Sequence, residues 1–469
     1  MSLSIFRVVV WRFSCLGFLV SAASVATSAF AQHDWGDLRD DAPTFPLVRS
    51  DDEFDVPKNP KPRRDFDRVV STAAELKKAF ATAVDGETIA LEPGTYRLGQ
   101  TLETGPRLEK KRLTLVGKSG KSSDVRLEAA STVGRGAELC VEDLTVVAEG
   151  ERAAVCCEDA TSVFKATRCV FVREEKKGDE TELGGALIGV WPGRCELADC
   201  RVLSPFSMFG AIGVGSDGAG ELIAKNCEFV GRVEISGTSA LSKLTNCRLR
   251  GALGDGGGGL GEGNDRTGAL GAAPAPAPSF APIASNLGDG GAAPAIIEPV
   301  AASRGEGGVR LGSVGSDGAF PRCRLVDCAV ADCRTGIEIF DGAEATVRGG
   351  EFRDCDAGVV VSGVVAVDGP TFERCETGVS VAGKATVRGG AFRFCRSAVE
   401  ASGEGTLALS GATISNGETG VRCVGGKCVA TDVTLKDVAG VATVEDGGKF
   451  DAKNVSCEAS KDIPPGAVF

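Results

Sequence analysis

The sequence predicts an all-β chain wound as a right-handed parallel β-helix, and three observations carry that prediction. One phrase, a small pair followed by a β-branched residue, recurs at Thr335-Gly336-Ile337, Ala357-Gly358-Val359, Thr377-Gly378-Val379, Ser397-Ala398-Val399, Thr419-Gly420-Val421 and Ala439-Gly440-Val441. Its steps are 22, 20, 20, 22 and 20 residues, a period at which each repeat must stack on its neighbours to bury its apolar face. Within a period the apolar residues alternate in short runs, as in Val359 and Val361 or Val379 and Val381, and the runs are broken by Gly-Gly, Asp-Gly and Ser-Gly. That is the pattern of short strands joined by tight turns. Finally, no long helical pattern intervenes and the leucine-rich consensus is absent, so the strands must pair coil upon coil.

Residues 1–31 read as a signal peptide. Arg7 and Arg12 lead into the apolar residues 16–20, and Ala29-Phe30-Ala31 supplies a small-residue cleavage pattern before Gln32. Ser14, Ser21 and Ser24 interrupt the run, which falls short of the roughly 20 apolar residues a membrane span needs. Export is therefore expected, to the periplasm, the cell surface or the extracellular space, with no membrane span in the mature chain. The formal charge of -12 becomes about -14 once two arginines leave with the signal, which argues against nucleic acid as a partner. Residues 32–66 are rich in Asp, Pro and Arg, show no period, and read as a flexible leader.

The first coils are expected over residues 67–250. Thr72 with Glu75 three residues on forms a capping box, and Leu76, Ala79, Phe80 and Ala83 share one face of a short helix ending near Asp85-Gly86. GETIALEPGTYRL and then RLTLVG follow. This order resembles the N-terminal entry into the right-handed parallel β-helix domains of the pectin-lyase-like superfamily, over roughly residues 67–460. The resemblance implies that the helix covers the open end of the first coil. It also implies that chemistry sits on the outside of the coils, with carboxylates holding calcium or acting as acid and base, and Arg or Lys abstracting a proton.

Between residues 125 and 249 the coils continue unevenly, marked by Cys169, Cys200, Cys227 and Cys247, each followed two residues later by an apolar side chain. Period 2 puts the cysteine and that apolar residue on one side, the bore. Longer spacings imply projecting loops, where such folds place function. Residues 251–319, rich in Gly, Ala and Pro, read as a disordered insertion, residues 320–460 as regular coils and residues 461–469 as a C-terminal tail. The fragment GGGGLGEGND within the insertion faintly resembles a calcium-binding nonapeptide that works by repetition, and it occurs once.

Seventeen of the 18 cysteines survive signal cleavage. Cys333, Cys355, Cys375 and Cys395, spaced 22, 20 and 20, form a ladder of one thiol per coil. The spacing favours free, buried thiols acting as small apolar residues; the alternative is disulfides between residues five apart, Cys195 with Cys200, Cys323 with Cys328, and Cys423 with Cys428. Zinc is disfavoured, the mature chain having one histidine, His33, in the leader.

Two outward ladders carry chemistry-bearing residues. Arg348, Asp368 and Arg388 recur before the apolar position of successive coils, and Arg334, Asp356, Glu376, Arg396 and Glu418 recur just after the cysteine position. Asp356 and Glu376 are the candidate cation pair, Ca2+ being the ion in question, with the arginines as substrate clamps; the competing reading is an alternating-charge ladder that supports stacking. Trp191 is the expected wall of any cleft in the first half. Against catalysis stand the absence of a Gly-His-Gly pattern and of a clear pectate-lyase-type arginine motif, and the scarcity of aromatic platforms, only Tyr96, Trp35 and Trp191 remaining in the mature chain. Periplasmic copper handling has little to work with, since Met208 is the only methionine beyond the initiator. The expected function is a non-catalytic scaffold that binds a polysaccharide or another cell-envelope component. The alternative is a polysaccharide lyase or glycoside hydrolase acting on an acidic polysaccharide.

Overall fold

The computed structural model describes residues 65–99, 105–149, 153–174, 186–204, 210–215, 220–237, 240–251, 307–312 and 320–458. The signal peptide, nearly all of the leader with His33 and Trp35, the glycine-rich calcium-like fragment and the tail lie outside them. The chain visits three parallel sheets in turn and winds through about 14 turns. Sheet A has 15 strands, from Arg68–Val70 to Lys449–Lys453; sheet B has 14, from Gly94–Gly99 to Ser456–Glu458; sheet C has 13, from Arg107–Leu108 to Gly440–Glu445. Every strand pairs only with its equivalents one coil before and one coil after, as an all-β helical solenoid requires, and a right-handed winding is the hand that twisted strands impose on parallel crossovers. No helix among the described residues is long and apolar enough to cross a membrane.

One coil shows how sequence becomes shape. In Val364–Asp368 of sheet A, Val365 and Val367 point inward; in Thr371–Glu373 of sheet B, Phe372 does; in Thr377–Val381 of sheet C, Val379 and Val381 do. In-register pairing places Phe352, Phe372 and Phe392 on top of one another, their ring centroids 4.9 and 4.8 Å apart. This stack explains the glycine of the repeated phrase. A Cβ on Gly378 would lie 2.5 Å from the Ala398 carbonyl oxygen and 2.7 Å from the Phe392 ring, and Gly358 meets Phe372 in the same way. Ala398 replaces glycine in the coil whose next inward side chain is Ile414 instead of Phe.

The corners are as regular as the strands. Between sheets A and B the chain turns on a residue in the left-handed region, Asp199, Asn226 and Asn246 having φ of 54°, 53° and 50°. Asp and Asn tolerate that conformation and can bond one another: Asn226 Nδ2 donates to Asp199 Oδ1 at 3.0 Å, and Asn246 Nδ2 to Asn226 Oδ1 at 2.8 Å. The next residue is the inward cysteine. Cys200 and Cys227 each donate to the carbonyl two residues earlier at 3.2 Å, a bond no purely apolar side chain of that size can make. Cys169, Cys200, Cys227, Cys247 and Cys328 form one file at this corner, and Cys333, Cys355, Cys375 and Cys395 form a second file between sheets B and C. All 17 cysteines of the described residues are unbonded, the three pairs five apart included. Burial pushes the Cys169 and Cys195 thiols well above the ordinary value.

The helix Ala73–Thr82 has the expected capping box and buries Leu76, Ala79 and Phe80. Lys111 Nζ donates to the Phe80 and Ala83 carbonyls at 3.3 and 3.1 Å, occupying acceptors that a helix end leaves open. One boundary differs from the sequence reading: Gly308–Leu311 is a strand of sheet C, inside the stretch 251–319 expected to be an insertion. Its alternating Val309 and Leu311 fill the bore between Val233 and Ile337 in one row and between Ile235 and Ile339 in the next, a pattern too short to read against its glycine-rich surroundings. The long connections share a location. Those between Val170–Glu174 and Ile188–Val190, Arg201–Leu203 and Ile212–Val214, and Arg248–Arg250 and Gly308–Leu311 all enter sheet C, and those from Ile212–Val214 to Gly220–Lys225 and from Gly308–Leu311 to Arg322–Val326 leave it. The corner between sheets A and B has two residues in every coil except between Arg112–Gly117 and Val125–Ala129, where seven residues with a 3-10 turn at Ser122–Asp124 intervene.

Two outcomes are expected from this packing. Gly378→Ala should lower stability by about 1–3 kcal/mol through overpacking, whereas Ala398→Gly should cost about 0.5–1 kcal/mol; urea unfolding midpoints compare them. Alkylation of the native chain should label exposed Cys457 first and half-buried Cys140 more slowly. Burial and the neighbouring Glu138 carboxylate push the Cys140 thiol up to about 11, so its labelling rate should climb about tenfold per pH unit below that value. The buried thiols should react only on unfolding, as read by mass spectrometry.

Candidate functional site

The outer face of sheet C carries one continuous row, Thr132, Cys156, Gly189, Gly213, Glu234, Arg310 and Glu338, each in register with the next. The tripeptide Ile188-Gly189-Val190 is repeated one coil later as Ile212-Gly213-Val214, with the apolar pair inward and the glycine outward in both. Trp191 fills the space that the two missing side chains leave. A Cβ on Gly189 would lie 2.4 Å from its Nε1, and one on Gly213 would lie 2.8 Å from its Cζ2. The indole therefore spans two coils, one side against backbone. It remains 38% exposed, so the other side is open. Its backbone N–H donates to the Cys157 carbonyl at 2.8 Å, which fixes the residue at the end of its strand.

Polar groups bracket this platform. On one side Cys156 is buried, its thiol pushed up to about 11 by burial and by Glu158. Beyond it Thr132 is 1% exposed, and its hydroxyl has no hydrogen-bond partner among the described residues. Arg107, next in the row, binds Glu158 at 2.9 Å. On the other side Glu234 takes Arg232 at 3.5 Å, and Arg310 takes Glu338 at 3.3 Å while lying 4.8 Å from the Phe340 ring centroid. An open aromatic face flanked on one side by a carboxylate and a guanidinium suits a ring that is apolar on its faces and hydroxylated at its rim.

The other residues singled out by sequence lie elsewhere. Arg348, Asp368 and Arg388 do form a ladder, consecutive in register on the outer face of sheet A. Trp191 belongs to sheet C and forms the floor of its face, not a wall, so the expected substrate residues do not share one cleft. Asp356 and Glu376 occupy adjacent coils at the corner between sheets B and C, the Thr377 N–H donating to the Asp356 carbonyl at 2.9 Å. The Glu376 carboxylate meets Arg396 at 3.0 Å, and Arg396 also reaches Glu418 at 3.3 Å. Among the described residues no group of three or more His, Cys, Asp or Glu is arranged to hold a metal ion. Sequence reasoning missed Glu234 and Arg310 because Arg310 lies in the stretch read as an insertion and Glu234 lies in a coil with no cysteine before its strand in sheet C. The repeated Ile-Gly-Val was the available signal.

No family model matches the chain, and no curated protein does. Among solved structures it is similar to the catalytic unit of a GH87 α-1,3-glucanase from Streptomyces thermodiastaticus, at 13% identity and TM-score 0.43, covering 82% of this chain and 65% of that one. It is also similar to a PL6 family polysaccharide lyase from Pseudopedobacter saltans, at 12% identity and TM-score 0.39, covering 84% and 92%. A third likeness, at 12% identity and TM-score 0.36, covering 83% and 94%, is to the A-module of a mannuronan C-5 epimerase from Azotobacter vinelandii. The chain spans just under two thirds of the glucanase unit. At these identities and scores the likenesses carry no functional argument; that the chain is a parallel β-helix stands on its own strand pairing.

Proposed function

We propose that this chain is an exported β-helix protein that binds a carbohydrate polymer along the outer face of sheet C. The observation that carries the reading is the Trp191 indole laid over Gly189 and Gly213 with one face open. A flat apolar surface of that size stacks on a sugar ring with little loss of side-chain freedom, and Glu234 and Arg310 along the row supply hydrogen-bonding groups to the ring hydroxyls. The long connections that enter and leave sheet C at its two edges favour this face over the other two.

A second reading, a glycoside hydrolase or polysaccharide lyase at the same place, is favoured by one observation. Glu234 and Glu338 lie in the same row with Arg310 between them. One strand lies between them, so their backbones are about 9–10 Å apart, a spacing compatible with an acid and a base that bracket a water.

The purified chain should retain one or more members of a polysaccharide panel in affinity electrophoresis. Trp191→Ala should weaken retention about tenfold or more with little change in melting temperature, since the indole lies outside the bore. Gly213→Val, which occupies the space under the indole, should act in the same direction. Retention that survives both substitutions would remove sheet C as the binding face. Reducing ends or unsaturated uronates released by the wild type and lost in Glu234→Gln would select the catalytic reading.

A further inference from the structure

The face of sheet A over the last coils is built differently from every other outer surface. Its middle row, Thr346, Ala366, Thr386, Ala408 and Val429, contains nothing longer than threonine or valine until it ends on Asp451 in the last strand. On one side of it runs Lys384, Thr406, Lys427, Lys449, and on the other Arg388, Ser410, Thr431, Lys453, each in register. These flanking rows are four residues apart along each strand, about 13 Å. Lys384, Lys427 and Lys449 on one side and Arg388 and Lys453 on the other stand above this row, and the sides drop to its level at Thr406, Ser410 and Thr431, leaving a shallow, nearly flat trough parallel to the solenoid axis.

The charge of the trough runs against that of the chain. Over these four strands the outward positions carry five cations and one acid, Asp451, in a protein of formal charge -12. On the other faces arginines are held by carboxylates, as Arg201 is by Glu228 at 2.8 Å, Arg374 by Asp354 at 2.7 Å and Arg422 by Glu445 at 3.2 Å. Arg388, Lys427, Lys449 and Lys453 have no ion-pair partner among the described residues, and all four are exposed. Lys427 and Lys449 lie one coil apart, a rise of about 4.8 Å, and Lys384, Arg388 and Lys453 add positive charge over the same four coils, so the arrangement favours an anionic occupant that spans several coils.

We infer that this trough is a second binding surface, distinct from the Trp191 face, and that its occupant is a linear acidic polysaccharide. The width accommodates one extended strand, and the hydroxyls of Thr386, Thr406, Ser410 and Thr431 alternate with the cations, which suits a polymer bearing both carboxylates and hydroxyls. The trough has no aromatic side chain on which bases would stack and no long apolar side chain to enter a lipid surface.

Isothermal titration of the full chain with sodium polygalacturonate at about 20 mM and about 300 mM NaCl tests this, because screening shortens the reach of exposed charges. Binding is expected at low salt and should fall steeply at high salt. The pair Lys427→Glu and Lys449→Glu should weaken it about tenfold or more, and Arg388→Ser with Lys453→Ser, on the opposite wall, should act in the same direction. Neutral pullulan should be indifferent to both pairs. Trp191→Ala should leave polygalacturonate binding unchanged; if it abolishes that binding while the charge variants do not, the polymer sits on sheet C, and this inference fails while the proposed function stands. Failure of the wild type to bind at low salt overturns it, as does preference for duplex DNA or phosphatidylglycerol vesicles over polygalacturonate.

Discussion

Backbone pairing between successive coils is the constraint on which the rest of this structure depends. Each strand bonds only to its equivalents above and below, so a residue choice in one coil is imposed on its neighbours about 4.8 Å away. Phenylalanine under phenylalanine becomes a stack, asparagine under asparagine a polar ladder, and cysteine under cysteine a file of thiols. The same rule makes glycine compulsory where a ring of the next coil leans over the backbone, and permits Ala398 where the ring is missing. Stability and surface chemistry are thus written in the same unit, the vertical row.

Rows are also why much of the fold was legible in the sequence. The spacing of Thr-Gly-Val phrases and of Cys333, Cys355, Cys375 and Cys395 is a direct projection of vertical neighbours onto the chain, and the Thr72–Glu75 capping box is a local signal needing no tertiary context. The candidate site was legible only in part. Arg348, Asp368 and Arg388 were recognised as one ladder because they share the period, but nothing in the sequence says which of three sheets a ladder faces. Trp191 was noticed as a rare residue, while its role as a floor depends on Gly189 and Gly213, whose meaning is the absence of side chains. Gly308–Leu311 was lost because a four-residue strand amid glycine carries too few apolar positions for a period to show.

The two outer faces divide the chemistry between different physical terms. On sheet C the open indole favours contacts that depend on shape and desolvation, which salt affects little. On sheet A the lysines and Arg388 act through charge at the surface, at longer range and weaker per contact. A polymer long enough to wrap from one face to another would gain from both, since the second contact is made at the high effective concentration set by the first.

The thiol files bear on how such a molecule fails. A solenoid whose coils touch only their neighbours frays from an end, one turn at a time. With a sulfur held inside so many of the turns, each turn that loosens converts inert side chains into reactive ones. The interior of this protein is in that sense a record of its own integrity: beyond Cys457 and Cys140, every further sulfur that becomes accessible marks a turn that has come undone.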